Sequence, residues 1–279
     1  MNNSLFTIWL PGLLGLMVGS FLNVVIHRLP RMLQAQWDAQ SHSDTQTDPT
    51  TQPPARVFNL AWPGSHCPDC AHPLSWYDNI PVLSYLMLRA RCRHCQAAIH
   101  WRYPAVELTT AALFTWAFMH HGWGAQALVW AGFAAALLSL ACIDADTTLL
   151  PDAITQPLIW SGLLASSLQL TGVPLAQSLW GATAGYLFLW TVYWLFKIVT
   201  GKEGMGQGDF KLLAALGAWL GWPALLSLVL IASLTGVLGG LWLRLHQQLL
   251  EGGYIPFGPF LVLAGLWVMI LGPLPWFQI

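Results

Sequence analysis

The chain has 279 residues, of which 56% are hydrophobic and 8% are charged, and its formal net charge is −1. Soluble domains carry roughly 25% charged residues, so this composition excludes an ordinary soluble protein. The sequence predicts an integral membrane protein in which the position of the few charges is more informative than their sum.

Apolar stretches predict about eight transmembrane helices, since a helix needs roughly 20 residues to cross the hydrocarbon layer. The first stretch, 5–26, is not typical of a cleaved secretory signal, because no basic residue precedes it and Arg28 and Arg31 follow it. The short stretch 210–222 predicts either a tilted crossing or a re-entrant hairpin. The others are 104–121, 123–143, 153–171, 176–196, 224–243 and 255–277.

The basic residues agree with this arrangement of spans. All 11 Lys and Arg lie in or beside the connections that follow the first, third, fifth and seventh stretches. By the positive-inside rule these connections face the cytoplasm, so both termini lie on the opposite side. The sequence therefore predicts an all-α polytopic membrane protein.

A long non-membrane region follows the first span. The predicted organisation is a transmembrane helix over 1–27, a cytoplasmic region over 28–103 and a seven-helix membrane domain over 104–279. Within the cytoplasmic region, residues 34–54 are polar and rich in Thr, Gln, Ser and Pro. Such a composition cannot bury enough apolar surface to fold, so we expect this segment to be disordered.

The cytoplasmic region also contains two Cys-x-x-Cys pairs, "CPDC" (Cys67, Cys70) and "CRHC" (Cys92, Cys95). Paired knuckles of this kind are typical of a tetrahedral zinc site, because each two-residue gap lets a tight turn direct both sulfur atoms at one ion. Four thiolates leave no open position for water, so the expected role is structural. Two disulfides are the alternative, and the predicted cytoplasmic location disfavours them.

Acidic residues occur at the ends of two predicted spans. The segment "CIDADTTLLPD" leaves the third span with Asp144, Asp146 and Asp152, and "GMGQGDFK" brings Asp209 to the start of the sixth. An ionised carboxylate costs roughly 2.5–3.5 kcal/mol at the centre of a membrane and less toward its surface. The predicted topology places both segments at the cytoplasmic face, so Asp144 and Asp209 are candidates for one site.

Two carboxylates held close together share a proton, and such a pair can hydrolyse a peptide bond, with one acting as base and the other as acid. Gly206 and Gly208 would let the backbone bend and a peptide substrate approach Asp209. Acids at helix ends are also common as plain caps, which is a sufficient interpretation of Asp146 and Asp152. A cation transporter with acidic ligands and a zinc-stabilised membrane scaffold are the other open interpretations.

The same segments resemble a known family, the bacterial prepilin leader peptidases, which are the bifunctional peptidase/N-methyltransferases of type IV pilus and type II secretion systems. The resemblance covers nearly the whole chain, and 34–54 lies outside its motifs. Those motifs are "GSFLNVVIHRLP", "HCPDC", "SWYDNIPVLSYL", "RCRHC", "RYPAVELTT", "IDADTTLLPD", "GMGQGDFK" and "IPFGPFL".

The resemblance implies a membrane aspartic peptidase of the GxGD type in the bacterial inner membrane, with Asp144 and Asp209 as catalytic acids at the cytoplasmic boundary. Its substrates would be prepilin or pseudopilin precursors, cut after a glycine that ends a short basic leader. The new N-terminal residue would then be methylated from S-adenosylmethionine. Expected cofactors are thus structural zinc and the methyl donor; expected partners are the precursors and lipid, and no nucleic acid.

The sequence departs from the family at Ala90 in "LRARC", where members commonly have glycine. If that glycine provides a positive φ or close contact with the methyl donor, the Cβ of alanine would interfere, and a peptidase without methyl transfer is the alternative function. No glycine-rich methyl-donor motif of the Rossmann kind is present, so the sequence identifies no donor-binding residues. Glu107, at the start of the second span, is either a charge favoured by the helix dipole or a contact to substrate or methyl donor.

Overall fold

The computed structural model describes residues 3–43, 58–202, 204–246 and 255–275. These residues form nine α-helices and no β-strand, which confirms the predicted all-α class. The helices are α1 (Asn3–Ser43), α2 (Leu83–Met87), α3 (Arg102–His121), α4 (Ala125–Thr147), α5 (Asp152–Ser167), α6 (Leu175–Thr200), α7 (Gln207–Leu220), α8 (Leu225–Leu245) and α9 (Gly258–Leu271).

The chain divides into two compact units, Met1–His120 and His121–Ile279. Helix α3 therefore belongs almost entirely to the first unit. The reason is a close contact between α1 and α3. A Cβ at Gly15 would lie 2.6 Å from the Cα of Ala111, and one at Gly19 would lie 2.7 Å from the Cα of Glu107. Small residues that let two backbones approach in this way are typical of membrane helix pairs.

Helix α1 is longer than the predicted first span. It continues through Ser43, so residues 34–43 are helical although the sequence predicted disorder for 34–54. This part of the segment, "QAQWDAQSHS", contains no proline or glycine, and its Gln and Ala residues favour helix, so a helix that begins in the membrane can extend through it. The remainder of the predicted disordered segment lies outside the described residues.

Helix α7 lies at the centre of the second unit. Every residue from Leu212 to Trp219 is buried, because α5, α6 and α9 all pack against this helix. The backbones of α6 and α7 touch at Gly181 and Gly217, where a Cβ on either would collide with the other helix. The indole N–H of Trp219 donates to the carbonyl of Leu158 in α5 at 2.8 Å.

Four described segments are long and apolar enough to cross a membrane: Ile8–Ser41, Ala125–Thr147, Leu175–Thr200 and Trp222–Trp242. They confirm a membrane protein. A helix lies over each of the eight predicted stretches, but the count of eight crossings is not confirmed, because α5, α7 and α9 have 16, 14 and 14 residues. A full crossing needs roughly 20. The predicted weak span is α7, and its short length is compatible with its being enclosed by protein.

Candidate active site

Asp144 lies in the last turn of α4, and only 4% of its surface is exposed. The helix ends at Thr147, and the next residue, Thr148, has a left-handed backbone and donates its N–H to the Asp144 carbonyl at 2.8 Å. The side chain has a separate partner: the backbone N–H of Gly258, at the start of α9, donates to Asp144 Oδ2 at 3.0 Å. A buried carboxylate with a buried donor has a defined orientation.

Asp209 lies in the first turn of α7 and is 7% exposed. Gly206 caps this helix, and its carbonyl accepts the Asp209 N–H at 3.3 Å. An acid in the first turn of a helix faces unpaired backbone N–H groups and the positive end of the helix dipole. The local sequence thus places a carboxylate where a negative charge is stabilised despite its burial.

The fold brings the carboxylates of Asp144 and Asp209 into electrostatic range of each other within the second unit. Both groups are at helix ends and buried, whereas the transporter interpretation predicts acids midway along membrane helices. Two neighbouring buried acids are the arrangement that acid–base hydrolysis requires.

The other two acids of the sequence motif take different positions. Asp152 lies at the start of α5, and both of its carboxylate oxygens accept hydrogen bonds from the Lys211 ammonium at 2.7 Å. Its charge is therefore balanced by a cation from α7. Asp146 is exposed near the end of α4. Neither therefore has the buried position that Asp144 and Asp209 share.

The two motif glycines do not act through unusual backbone angles. Gly206 has φ −77° and ψ 147°, which any residue adopts, and a Cβ there would lie 3.9 Å from Asp209 Oδ2, an ordinary contact. Gly208 is required for packing, because a Cβ there would lie 2.7 Å from the Cβ of Leu150. The predicted freedom to bend is thus not the structural reason for glycine; at 208 the reason is close contact with the loop before α5.

The four cysteines of the first unit form two similar knuckles. In one, the Cys67 N–H donates to the His72 carbonyl at 3.0 Å, and in the other the Cys92 N–H donates to the Ala97 carbonyl at 2.8 Å. Each knuckle turns back at a residue with positive φ, Ala71 in the first and Gln96 in the second. The repeated hydrogen-bond pattern directs both pairs of sulfur atoms to a common point.

The sulfur positions fit a single zinc ion. The four Sγ atoms lie within 4.8 Å of one another, and those of Cys67 and Cys95 are 3.8 Å apart. Zn–S bonds of about 2.3 Å in tetrahedral geometry place sulfur atoms about 3.8 Å apart. All four are free of disulfides in this structure.

Comparison with known proteins places these features in one family. Residues 13–121 match the bacterial peptidase A24 N-terminal domain, and residues 131–241 match the type IV leader peptidase family. The prepilin leader peptidase/N-methyltransferase of Aeromonas salmonicida (strain A449) is 51% identical over 264 residues, which cover 93% of this chain and 88% of that protein.

Relatives of the same name from Pseudomonas aeruginosa and Burkholderia pseudomallei (strain K96243) are 49% and 47% identical. These alignments cover 93% of this chain and 88% and 84% of the two relatives. The chain belongs to the prepilin leader peptidase/N-methyltransferase family. This membership confirms the resemblance seen in the motifs, and it shows that the protein is an enzyme. No solved structure gives a significant match.

In this family member, Glu107 stabilises a strained turn. Its carboxylate accepts the backbone N–H of Val82 at 2.7 Å, and its Cα lies against Gly19 of α1, where a Cβ would be only 2.7 Å away. Val82 has φ 59°, a conformation that is rare for a β-branched residue and needs support from its surroundings. Glu107 thus links α1 and α3 to the segment before α2, a role that the sequence alone did not suggest.

Ala90 also has a left-handed backbone, with φ 59°. Its N–H donates to the Tyr85 carbonyl at 2.9 Å, and its own carbonyl accepts the Ile99 N–H at 2.7 Å. Both sides of the residue are held by these bonds, so it cannot relax to a negative φ without breaking them. A glycine at this position would adopt the same conformation without the steric penalty of a Cβ.

Replacing Ala90 with glycine is expected to stabilise the protein. A left-handed alanine costs roughly 1–2 kcal/mol, and the added flexibility of glycine offsets roughly 0.4–1 kcal/mol of this, leaving a gain of about 0.5–1 kcal/mol. The measurement is the thermal unfolding midpoint of the full chain in detergent. Ala97→Gly is the matched control, because Ala97 is not among the positive-φ residues and should lose stability instead. A lower midpoint for Ala90→Gly would contradict the conformational argument.

Gly258 is the part of the site that sequence reasoning did not assign. The motif "IPFGPFL" was part of the family resemblance without a role of its own, and the structure places its glycine against Asp144. The available signal was a glycine between an aromatic residue and a proline at the start of an apolar stretch. Nothing in that pattern identifies the acid it contacts.

Proposed function

We propose that this protein is a membrane aspartic endopeptidase that removes the basic leader of prepilin-like precursors after a glycine. The observation that carries the proposal is the pair of buried carboxylates, Asp144 and Asp209, which come from different helices and lie in electrostatic range. The names of the relatives support prepilin precursors as the substrates.

In the proposed reaction one carboxylate of the pair accepts a proton from a water molecule while the oxygen of that water attacks the scissile carbonyl carbon. The other carboxyl group donates its proton to the carbonyl oxygen. Collapse of the tetrahedral intermediate breaks the C–N bond and returns a proton from the intermediate to the carboxylate that acted as acid. The departing nitrogen takes the proton that the other carboxyl group had accepted from water, and it becomes the new N-terminal amine. Burial of both groups excludes bulk water and strengthens their interaction with the developing charge.

We further propose that the same protein methylates the new N-terminal amine with S-adenosylmethionine as donor, as the names of the relatives suggest. When bound, the donor supplies a methyl group that the uncharged amine nitrogen can attack. We expect this activity to depend on the cytoplasmic region of the first unit and not on the aspartates. The aspartates activate water and protonate a carbonyl oxygen, and transfer of a methyl group to an amine requires neither step.

Zinc, held by Cys67, Cys70, Cys92 and Cys95, is the proposed structural cofactor of that region. A closed four-thiolate site supplies rigidity and no open position for a substrate. The prediction of zinc rests on the donor set and on the spacing of the sulfur atoms. It implies that the knuckles fold together with the ion.

The proposed location is the bacterial inner membrane, with the aspartates at its cytoplasmic boundary and both termini on the periplasmic side. The distribution of Lys and Arg in the sequence supports this orientation. A cytoplasmic site fits a substrate whose basic leader remains in the cytoplasm while its apolar stem lies in the membrane.

The test uses the purified full chain and a synthetic precursor with a basic leader, a glycine and an apolar stem. Mass spectrometry should show loss of the leader, and with S-adenosylmethionine present the mature peptide should gain the mass of one CH₂ group. An uncleaved precursor would overturn the peptidase proposal. Cleavage without the mass increase would leave a peptidase alone and contradict the methyl-transfer proposal.

A further inference from the structure

We propose that Gly258 is a positioning residue for the catalytic pair, and that glycine is required there because its backbone holds the Asp144 carboxylate. The proposal rests on the proposed function in one respect, the catalytic role of Asp144. The motif containing Gly258 follows the segment matched to the type IV leader peptidase family, which ends at residue 241.

The first turn of α9 leaves one backbone donor for Asp144. Pro259 has no N–H, and the N–H groups of Phe260 and Leu261 both donate to the Phe257 carbonyl at 3.1 Å. The Gly258 N–H is therefore the backbone donor of this turn that can bond to a side chain. It donates to Asp144 Oδ2 at 3.0 Å in a buried hydrogen bond. The helix dipole acts in the same direction, since the N-terminus of a helix attracts negative charge.

The absence of a side chain at 258 is what allows this contact. A Cβ there would lie 2.6 Å from Asp144 Oδ2, 3.0 Å from its Cγ and 3.3 Å from its Cβ. The collision would involve most of the Asp144 side chain, so no small rotation of its end relieves it. Gly258 is not among the residues with positive φ, so its requirement is steric and not conformational.

A side chain at position 258 would change the position of one catalytic carboxylate, that of Asp144. Any residue larger than glycine at 258 must displace the Asp144 carboxylate, the backbone of α9, or both. Displacement of a reacting group by about 1 Å can cost about 100-fold in rate. Binding of the precursor depends on its whole length and should change little.

The first experiment compares Gly258→Ala with Gly265→Ala. Gly265 is a matched control on the same helix, since a Cβ there would contact Leu216 Cδ2 at 2.5 Å, the flexible end of an apolar side chain. We expect Gly258→Ala to lower kcat for leader removal by about 100-fold with little change in KM. Gly265→Ala should retain most of its activity. Equal losses in the two variants, or an active Gly258→Ala enzyme, would overturn the proposal.

A double-mutant cycle decides the question even where Gly258→Ala folds poorly. If the clash with Asp144 is the cause, removing that side chain should remove the penalty, so the thermal midpoint of Gly258→Ala should recover in an Asp144→Ala background. The midpoint of Gly265→Ala should not respond to Asp144→Ala. Additive midpoints for positions 144 and 258 would contradict the contact.

The two proposals fail in different ways. If Asp144→Asn cleaves at the normal rate, the aspartic mechanism is wrong whatever happens at position 258. If Asp144→Asn is inactive while Gly258→Ala is fully active, the mechanism stands and the positioning role alone is wrong.

Discussion

Replacing either Asp144 or Asp209 with asparagine is expected to reduce leader removal by at least about 100-fold, because an amide can neither accept the proton of water nor donate one to the carbonyl. Asparagine has nearly the shape of aspartate, so the buried packing around both positions should survive. The rate of leader loss from a synthetic precursor measures the effect. Elution volume and thermal midpoint in detergent show that each variant is folded.

Asp146→Asn is the matched control for this experiment. Asp146 is on the same helix as Asp144 but exposed, so its replacement should have a milder effect. Asp144→Asn should also still methylate a peptide supplied in the cleaved form, since the proposed methyl transfer does not use the pair. Normal cleavage by either of the two buried variants would rule out the pair as the catalytic acids.

The second large effect concerns the cysteine cluster, where we expect one zinc ion per chain in protein purified without chelator. Structural zinc in small domains contributes about 10–16 kcal/mol of binding free energy, so its removal should unfold the knuckles. Cys92→Ser should therefore lose the metal and lose methylation at least as readily as cleavage. Elemental analysis and the two activity measurements test this expectation together.

Cys142→Ser provides the comparison, because Cys142 lies in α4 outside the cluster. This variant should keep its zinc and both activities. Purified wild-type protein without metal, or with the four cluster cysteines joined as disulfides, would contradict the zinc assignment. Retention of zinc by Cys92→Ser would show that the site is held by other ligands.

Features that depend on neighbouring residues could be predicted from the sequence. Each Cys-x-x-Cys pair closes one tight turn, so the short spacing already determines that its two sulfur atoms can share an ion. The apolar stretches likewise predicted a helix at each expected place, since a continuous apolar segment satisfies its backbone only as helix in a membrane. The polar composition of residues 34–43 predicted disorder, because composition does not register a helix that continues from a preceding one.

Other features depend on which helices pack against each other, and the sequence could not predict these features. The length of α7 is compatible with a central position because surrounding helices enclose it, so a rule based on lipid thickness does not apply to it. Glu107 and Val82 show the same limit, since a buried acid and a strained turn are explained only by their contact.

The candidate active site also has one part that the sequence predicted and one part that only the tertiary structure shows. The sequence by itself determined that Asp144 and Asp209 lie at the ends of apolar segments, because the cost of burying charge restricts acids to such places. Only the tertiary structure decided that Gly258, 114 residues after Asp144, supplies the donor that orients its carboxylate. That contact results from the packing of α9 against α4, a sum of many weak apolar contacts along both helices, and no local pattern of residues encodes it.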